Sequence, residues 1–124
     1  MTYNNLYSEF VALFPECSET FKSLAAEANA DETDGMHIMF SFVIIPFVFN
    51  LLNDDDSKKL EKAFDYFEKM ASSDSTDITE VLEFTVIENL VSNGKTIYDK
   101  AKTYMNDTML ACCNRIEQYL KVAK

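Results

Sequence analysis

With 124 residues, 48% of them apolar, the chain is long enough for one domain with its own core and too short for two ordinary ones. Two glycines, two prolines and one histidine exclude a turn-rich sandwich or barrel, a glycine-rich phosphate loop and a multi-histidine metal site. A formal charge of −10, from 21 acids against 11 bases, sets the protein against nucleic acid and anionic membrane surfaces.

Residues 3–14 space Tyr3, Leu6, Tyr7, Phe10, Val11, Leu13 and Phe14 at three and four, which predicts an amphipathic helix. Pro15 ends it or opens the next, since proline suits a first helical position. From Glu16 the pattern resumes through Cys17, Phe21, Leu24, Ala25 and Ala28. The polar run from Asn29 to Asp34, closed by Gly35, is a break. Residues 36–52 carry no acid, Lys or Arg and are apolar nearly all round, so this helix should be central, with Phe40, Val43, Ile44, Phe47 and Leu51 in the core. Pro46 lacks a backbone donor and meets the carbonyl four residues back, which predicts a kink or break near Ile45. The β-branched run Val43-Ile44-Ile45 leaves a strand as the alternative. The same stretch is at the short limit for a membrane span. Acids border it on both sides and no bases flank it, which favours a buried core helix.

Asn53 to Ser57 reads as a loop followed by helix caps. Residues 57–71 then place Leu60, Ala63, Phe64, Phe67 and Met70 on one face. After a loop at 72–76, Asp77 and Glu80 have capping-box spacing. The helix that follows carries Ile78, Val81, Leu82, Phe84, Thr85, Ile87, Leu90 and Val91, and stops at Asn93-Gly94. A shorter helix over 95–105 and a last one to about Val122, with Ile116, Tyr119 and Leu120 among its apolar positions, complete the chain. The expected fold is all-α: one domain over 1–124 with six or seven short helices, arranged as a bundle or as HEAT-like antiparallel helix pairs. A repeat of apolar-x-x-apolar-Glu at Phe64–Glu68 and Phe84–Glu88 hints at the second arrangement.

The N-terminus has no basic region followed by an apolar core, as a signal peptide would. Cys17, Cys112 and Cys113 are odd in number with an adjacent pair, a poor disulfide framework. A reduced, cytoplasmic setting is the expectation, with the paired cysteines acting as small apolar fillers.

Charge is uneven. Residues 1–34 hold seven acids and one base, residues 54–88 eleven acids and four bases, and residues 89–124 three acids and six bases. The stretch 74–88 has five acids, Asp74, Asp77, Glu80, Glu83 and Glu88, and no base. Like charges three apart on a helix repel by a few tenths of a kcal/mol. A basic partner would convert that repulsion into steering and affinity. The expected contact residues are therefore Asp54, Asp55, Asp56, Asp74, Asp77, Glu80 and Glu83.

Catalytic chemistry finds little support. Glu68 and Glu88 border apolar faces and could do acid–base work if buried, but a structural carboxylate bonded to a neighbouring helix end is the simpler reading. No second histidine exists for a di-metal bundle, and no local motif supports a Cys–His pair with His37. No catalytic residue, metal or cofactor is expected.

The stretches Phe10-Val-Ala-Leu-Phe14-Pro15-Glu16, Phe64-Asp-Tyr-Phe67-Glu68-Lys-Met70, Val81-Leu-Glu-Phe-Thr85-Val-Ile87-Glu88-Asn-Leu90 and Tyr98-x-x-Ala101-x-x-Tyr104-Met105 carry a resemblance. The chain resembles small immunity proteins encoded beside bacterial polymorphic toxins, including contact-dependent growth-inhibition systems. The resemblance implies a cytoplasmic antidote, not an enzyme, that binds one toxin domain and blocks its active site or substrate surface. It transfers no individual binding residue. The charge agrees, because nuclease toxins are usually basic. A non-catalytic helical adaptor or regulatory module is the alternative.

Overall fold

A computed structural model describes residues 1–123 as seven α-helices, with no strand among the described residues. The first helix, α1, spans Leu6–Ala12 and follows a 3-10 turn at Tyr3–Asn5. Phe14 leaves the helical region (φ −126°, ψ 63°), as the residue before a proline tends to, and Pro15 opens a second 3-10 turn at Pro15–Cys17. The predicted helix over 3–14 is thus shorter than its apolar spacing suggests. α2 covers Ser18–Ala28 and ends on Asn29 in the left-handed region.

The third helix, α3, runs unbroken over Met36–Asn53. It starts at Gly35, whose φ of 96° and ψ of 164° only glycine adopts readily. No break occurs at Pro46. Instead Phe40–Ile44 is a π-helical turn, in which the Ile45 N–H reaches back to the Phe40 carbonyl. The wider turn just before Pro46 makes room for the ring and absorbs its missing donor. The β-branched run that resembled a strand is part of this turn. Val43, Ile44 and Ile45, three in succession, are all buried.

α4 covers Ser57–Ala71 and is capped by Asp56, whose carboxylate accepts from Lys59 N–H. α5 spans residues 76–92 in three parts: Thr76–Val81, a second π-helical segment at Leu82–Ile87, and Glu88–Ser92. Its cap is Ser75, which accepts from Ile78 N–H, and not Asp77 as the spacing suggested. Asp77 sits inside the first turn, where its charge suits the helix dipole. The capping box occurs earlier, between Asp31 and Asp34. α6 covers Lys95–Lys102 and α7 covers Asp107–Ala123.

α3 packs against α1, α2, α4, α5 and α6, while α7 lies on α4 and α5. With five of the other six helices packed on it, α3 is the centre of an all-α, bundle-like domain. On one side of α3, Phe10 is fully buried and its ring meets those of Phe14, Phe21, Phe40, Phe47, Tyr66 and Phe67 at 5.4–6.4 Å. These aromatics come from α1 to α4 and lock the N-terminal half together. Tyr66 adds a polar tie, its hydroxyl donating to the Leu6 carbonyl at 2.9 Å. By length and composition α3 could cross a membrane, yet 56% of it is buried within the fold.

Candidate functional interface

The acids expected to form one surface divide into two groups. Asp54, Asp55 and Asp56 lie between α3 and α4, at the start of α4. Asp74 and Asp77 lie beyond its other end. Fifteen residues of α4 separate the groups by about 22 Å, nearly three Debye lengths at physiological salt. At that separation they are two distinct features of the surface.

Within the first group most charge is already in use. Asp55, held at φ 54°, pairs with Lys100 Nζ at 2.6 Å. The same ammonium donates to the Leu52 carbonyl at 2.7 Å, so it also neutralises the C-terminal end of α3. Asp56 caps α4 and pairs with Lys59 Nζ at 3.2 Å. The Lys59 side-chain and backbone bonds hold its carboxyl below the usual carboxylate range. Within this group Asp54 alone is exposed with no ion pair among the described residues.

In the second group Glu83 differs from expectation. The stretch 74–88 has no base of its own, but α7 supplies one. Arg115 places Nη2 at 2.7 Å and Nε at 3.1 Å from Glu83 Oε1. Glu83 is mostly covered, with its side chain 16% exposed, and is a cross-helix tie. Asp74, Asp77 and Glu80 remain exposed, and none forms an ion pair among the described residues.

Sequence periodicity hid an aromatic feature beside these acids. Phe84 and Tyr119 both fall on apolar faces by their spacing, yet they are 43% and 52% exposed. They meet across α5 and α7, ring centroids 5.5 Å apart and nearly perpendicular. Phe84 belongs to the π segment, where Thr85, Val86 and Ile87 turn inward in succession and Phe84 stays outside. The correspondence with Phe64, which is 1% exposed, therefore fails. The two π segments pack on each other. His37 Nδ1 lies 2.7 Å from the buried Thr85 Oγ1 and links α3 to α5. A separate exposed apolar pair, Ile38 and Phe42, lies on α3.

Of the groups weighed for chemistry, Glu68, Cys112 and Cys113 have structural roles, whereas Glu88, expected like Glu68 to bond a helix end, forms no ion pair among the described residues. Glu68 accepts from Asn106 N–H at 2.8 Å and Met109 N–H at 3.1 Å. A carboxylate on α4 thus caps the N-terminus of α7, the bonded helix end its position suggested. Cys112 and Cys113 are buried. Burial pushes the Cys112 thiol up to about 11 and raises Cys113 as well, which keeps both protonated at neutral pH. Among the described residues no group of three or more His, Cys, Asp or Glu side chains is placed to hold a metal. An open groove of about 540 Å³ runs between the end of α5 and α7, lined by Val91, Ser92, Gly94, Glu117, Leu120 and Lys121. Its carboxylate is already engaged, by Tyr98 Oη at 2.8 Å and Lys102 Nζ at 3.7 Å.

Residues 7–121 match the family described as a domain of unknown function, DUF7674. No curated protein and no solved structure matches the chain.

Proposed function

We propose that this protein, which belongs to the DUF7674 family, is a non-catalytic binding protein that neutralises a basic, nuclease-type toxin domain in the cytoplasm. The observation that carries the reading is uncompensated surface charge. Asp74, Asp77 and Glu80 stand exposed and without an ion pair among the described residues, in a chain of net charge −10. Such acids repel one another in the free protein and attract a phosphate-binding, cationic surface. The resemblance to toxin-immunity proteins supplies the kind of partner. The use of Glu68 as a helix cap and the burial of Cys112 and Cys113 support a binding role over a catalytic one.

The test is co-expression with the product of the gene directly upstream. The expected result is a complex that survives purification, and host cells that grow only when both proteins are made. Steering by charge should make association slow steeply as salt rises towards 0.5 M, where the Debye length is below about 5 Å. Asp77→Lys with Glu80→Lys should slow it further. Growth that is no better with this protein than without it would overturn the toxin reading. Tight binding to a basic protein that is harmless to the cell would instead identify an adaptor.

A further inference from the structure

We propose that the partner docks on the outer face of the α5 π segment, seating an apolar side chain on the Phe84–Tyr119 pair and placing its cations against Glu80 and Asp77. The proposal rests on the binding reading above and adds the place and chemistry of contact: a protein surface that is basic around an apolar tip.

Single exposed apolar residues are ordinary on a protein surface. Here two aromatics from different helices hold each other outside the core, in edge-to-face contact at 5.5 Å. They sit on a rigid base, because the π segment of α5 is packed by α3, α4 and α7. Paired, pre-positioned aromatics are the kind of residue that anchors interfaces. π turns occur often at functional sites, since their wider geometry is retained only for a reason.

Charge decides the occupant. Glu80 lies one turn before Phe84 on α5 and Asp77 nearly two, and neither has an ion pair among the described residues. Arg115, one turn before Tyr119 on α7, is committed to Glu83. A second copy meeting this face through a two-fold axis would set the same acids against each other. Nucleic acid and anionic lipid are repelled by the same field.

The proposal is tested with the full chain and a defined probe, an 18-residue helical peptide of leucine and lysine, titrated by NMR at low and moderate salt. The expected result is saturable binding that perturbs residues around Phe84 and Tyr119 and weakens tenfold or more between 50 and 300 mM salt. Phe84→Ser with Tyr119→Ser should weaken it by a further tenfold in a protein whose NMR spectrum away from the two sites shows that it remains folded. Ile38→Ser with Phe42→Ser, at the other exposed apolar pair, should change it less than twofold. Binding that ignores the Phe84/Tyr119 substitutions, maps elsewhere, or is matched by a leucine–glutamate peptide would overturn the proposal. So would no binding, or self-association lost with the same substitutions. The peptide does not depend on the toxin, so failure here and failure of the co-expression test are separate results.

Discussion

Glu68 joins two helices through a single side chain. Its two oxygens take two of the free N–H groups at the start of α7, at 2.8 and 3.1 Å. Removing it leaves those donors without their acceptor and loses a favourable charge at the helix N-terminus. Glu68→Ala should therefore destabilise the protein by about 1–3 kcal/mol in urea unfolding, and Glu68→Gln by less, because the amide keeps one acceptor. Amide exchange at Met109 should accelerate in both. The three thiols also differ in a way that can be read directly. Cys17 is partly exposed, whereas Cys112 and Cys113 are closed off in the core and are all free. An aromatic disulfide reagent should label one thiol per chain in the native state and the other two only after denaturation. Labelling of all three at the same rate would mean that α7 opens readily from α4.

At the scale of helices the two π turns are the decisive local feature. Each inserts one residue into the helical phase and brings three successive residues inward, Val43-Ile44-Ile45 in α3 and Thr85-Val86-Ile87 in α5. A proline in an ordinary helix interior costs about 3 kcal/mol. The turn ahead of Pro46 has already opened the backbone, with Ile45 N–H bonded to the Phe40 carbonyl. Pro46→Ala should therefore change stability by less than about 1 kcal/mol, the entropy of the unfolded chain offsetting a recovered donor. A gain near 3 kcal/mol in urea unfolding would mean that the proline strains α3. In the same helix Ile44 is fully buried, and Ile44→Ala should cost about 2–5 kcal/mol by the same measurement.

For the molecule as a whole, ionisation of buried groups limits stability on the alkaline side. Burial raises the phenols of Tyr66 and Tyr98 above their ordinary value of 10.0, with Glu9 adding to the first and a bond to Glu117 to the second. Burial raises the Cys112 thiol from 9.0 to about 11. The folded protein therefore holds these protons to higher pH than the unfolded chain does. Their contribution is complete below the unfolded values and is lost as pH rises through them towards the folded ones. The urea midpoint should be flat from about pH 7 to 8.5 and fall between about pH 9 and 11. Cys112→Ala should shrink the part of that fall nearest pH 9–10. A midpoint that is level up to pH 11 would contradict the burial of these groups.

Helix number, the bundle's central helix and most of the core were legible from spacing and composition alone. Residues at i, i+3 and i+4 share a face whatever lies opposite, and the run without acid, Lys or Arg from Gly35 to Asn53 marks the helix that the others pack around. The role of Glu68 was legible from its place at the edge of an apolar stripe, where a helix end supplies two donors, but Glu88 holds the same kind of position and the sequence did not separate the two. Tertiary structure decided what depends on a neighbour. Arg115 is 32 residues from Glu83, so the base-free run 74–88 looked unpaired until α7 came to lie across α5. Asp54–Asp56 and Asp74–Asp77 are both acidic, but a helix about 22 Å long holds them apart. Phe84 and Tyr119 fit the apolar period, yet a single inserted residue in the π turn shifts the inward phase past Phe84. Periodicity assumes one helical pitch, and charge counting assumes that sequence neighbours are the only neighbours. Both assumptions failed on α5, at the face where the contact with a partner is proposed.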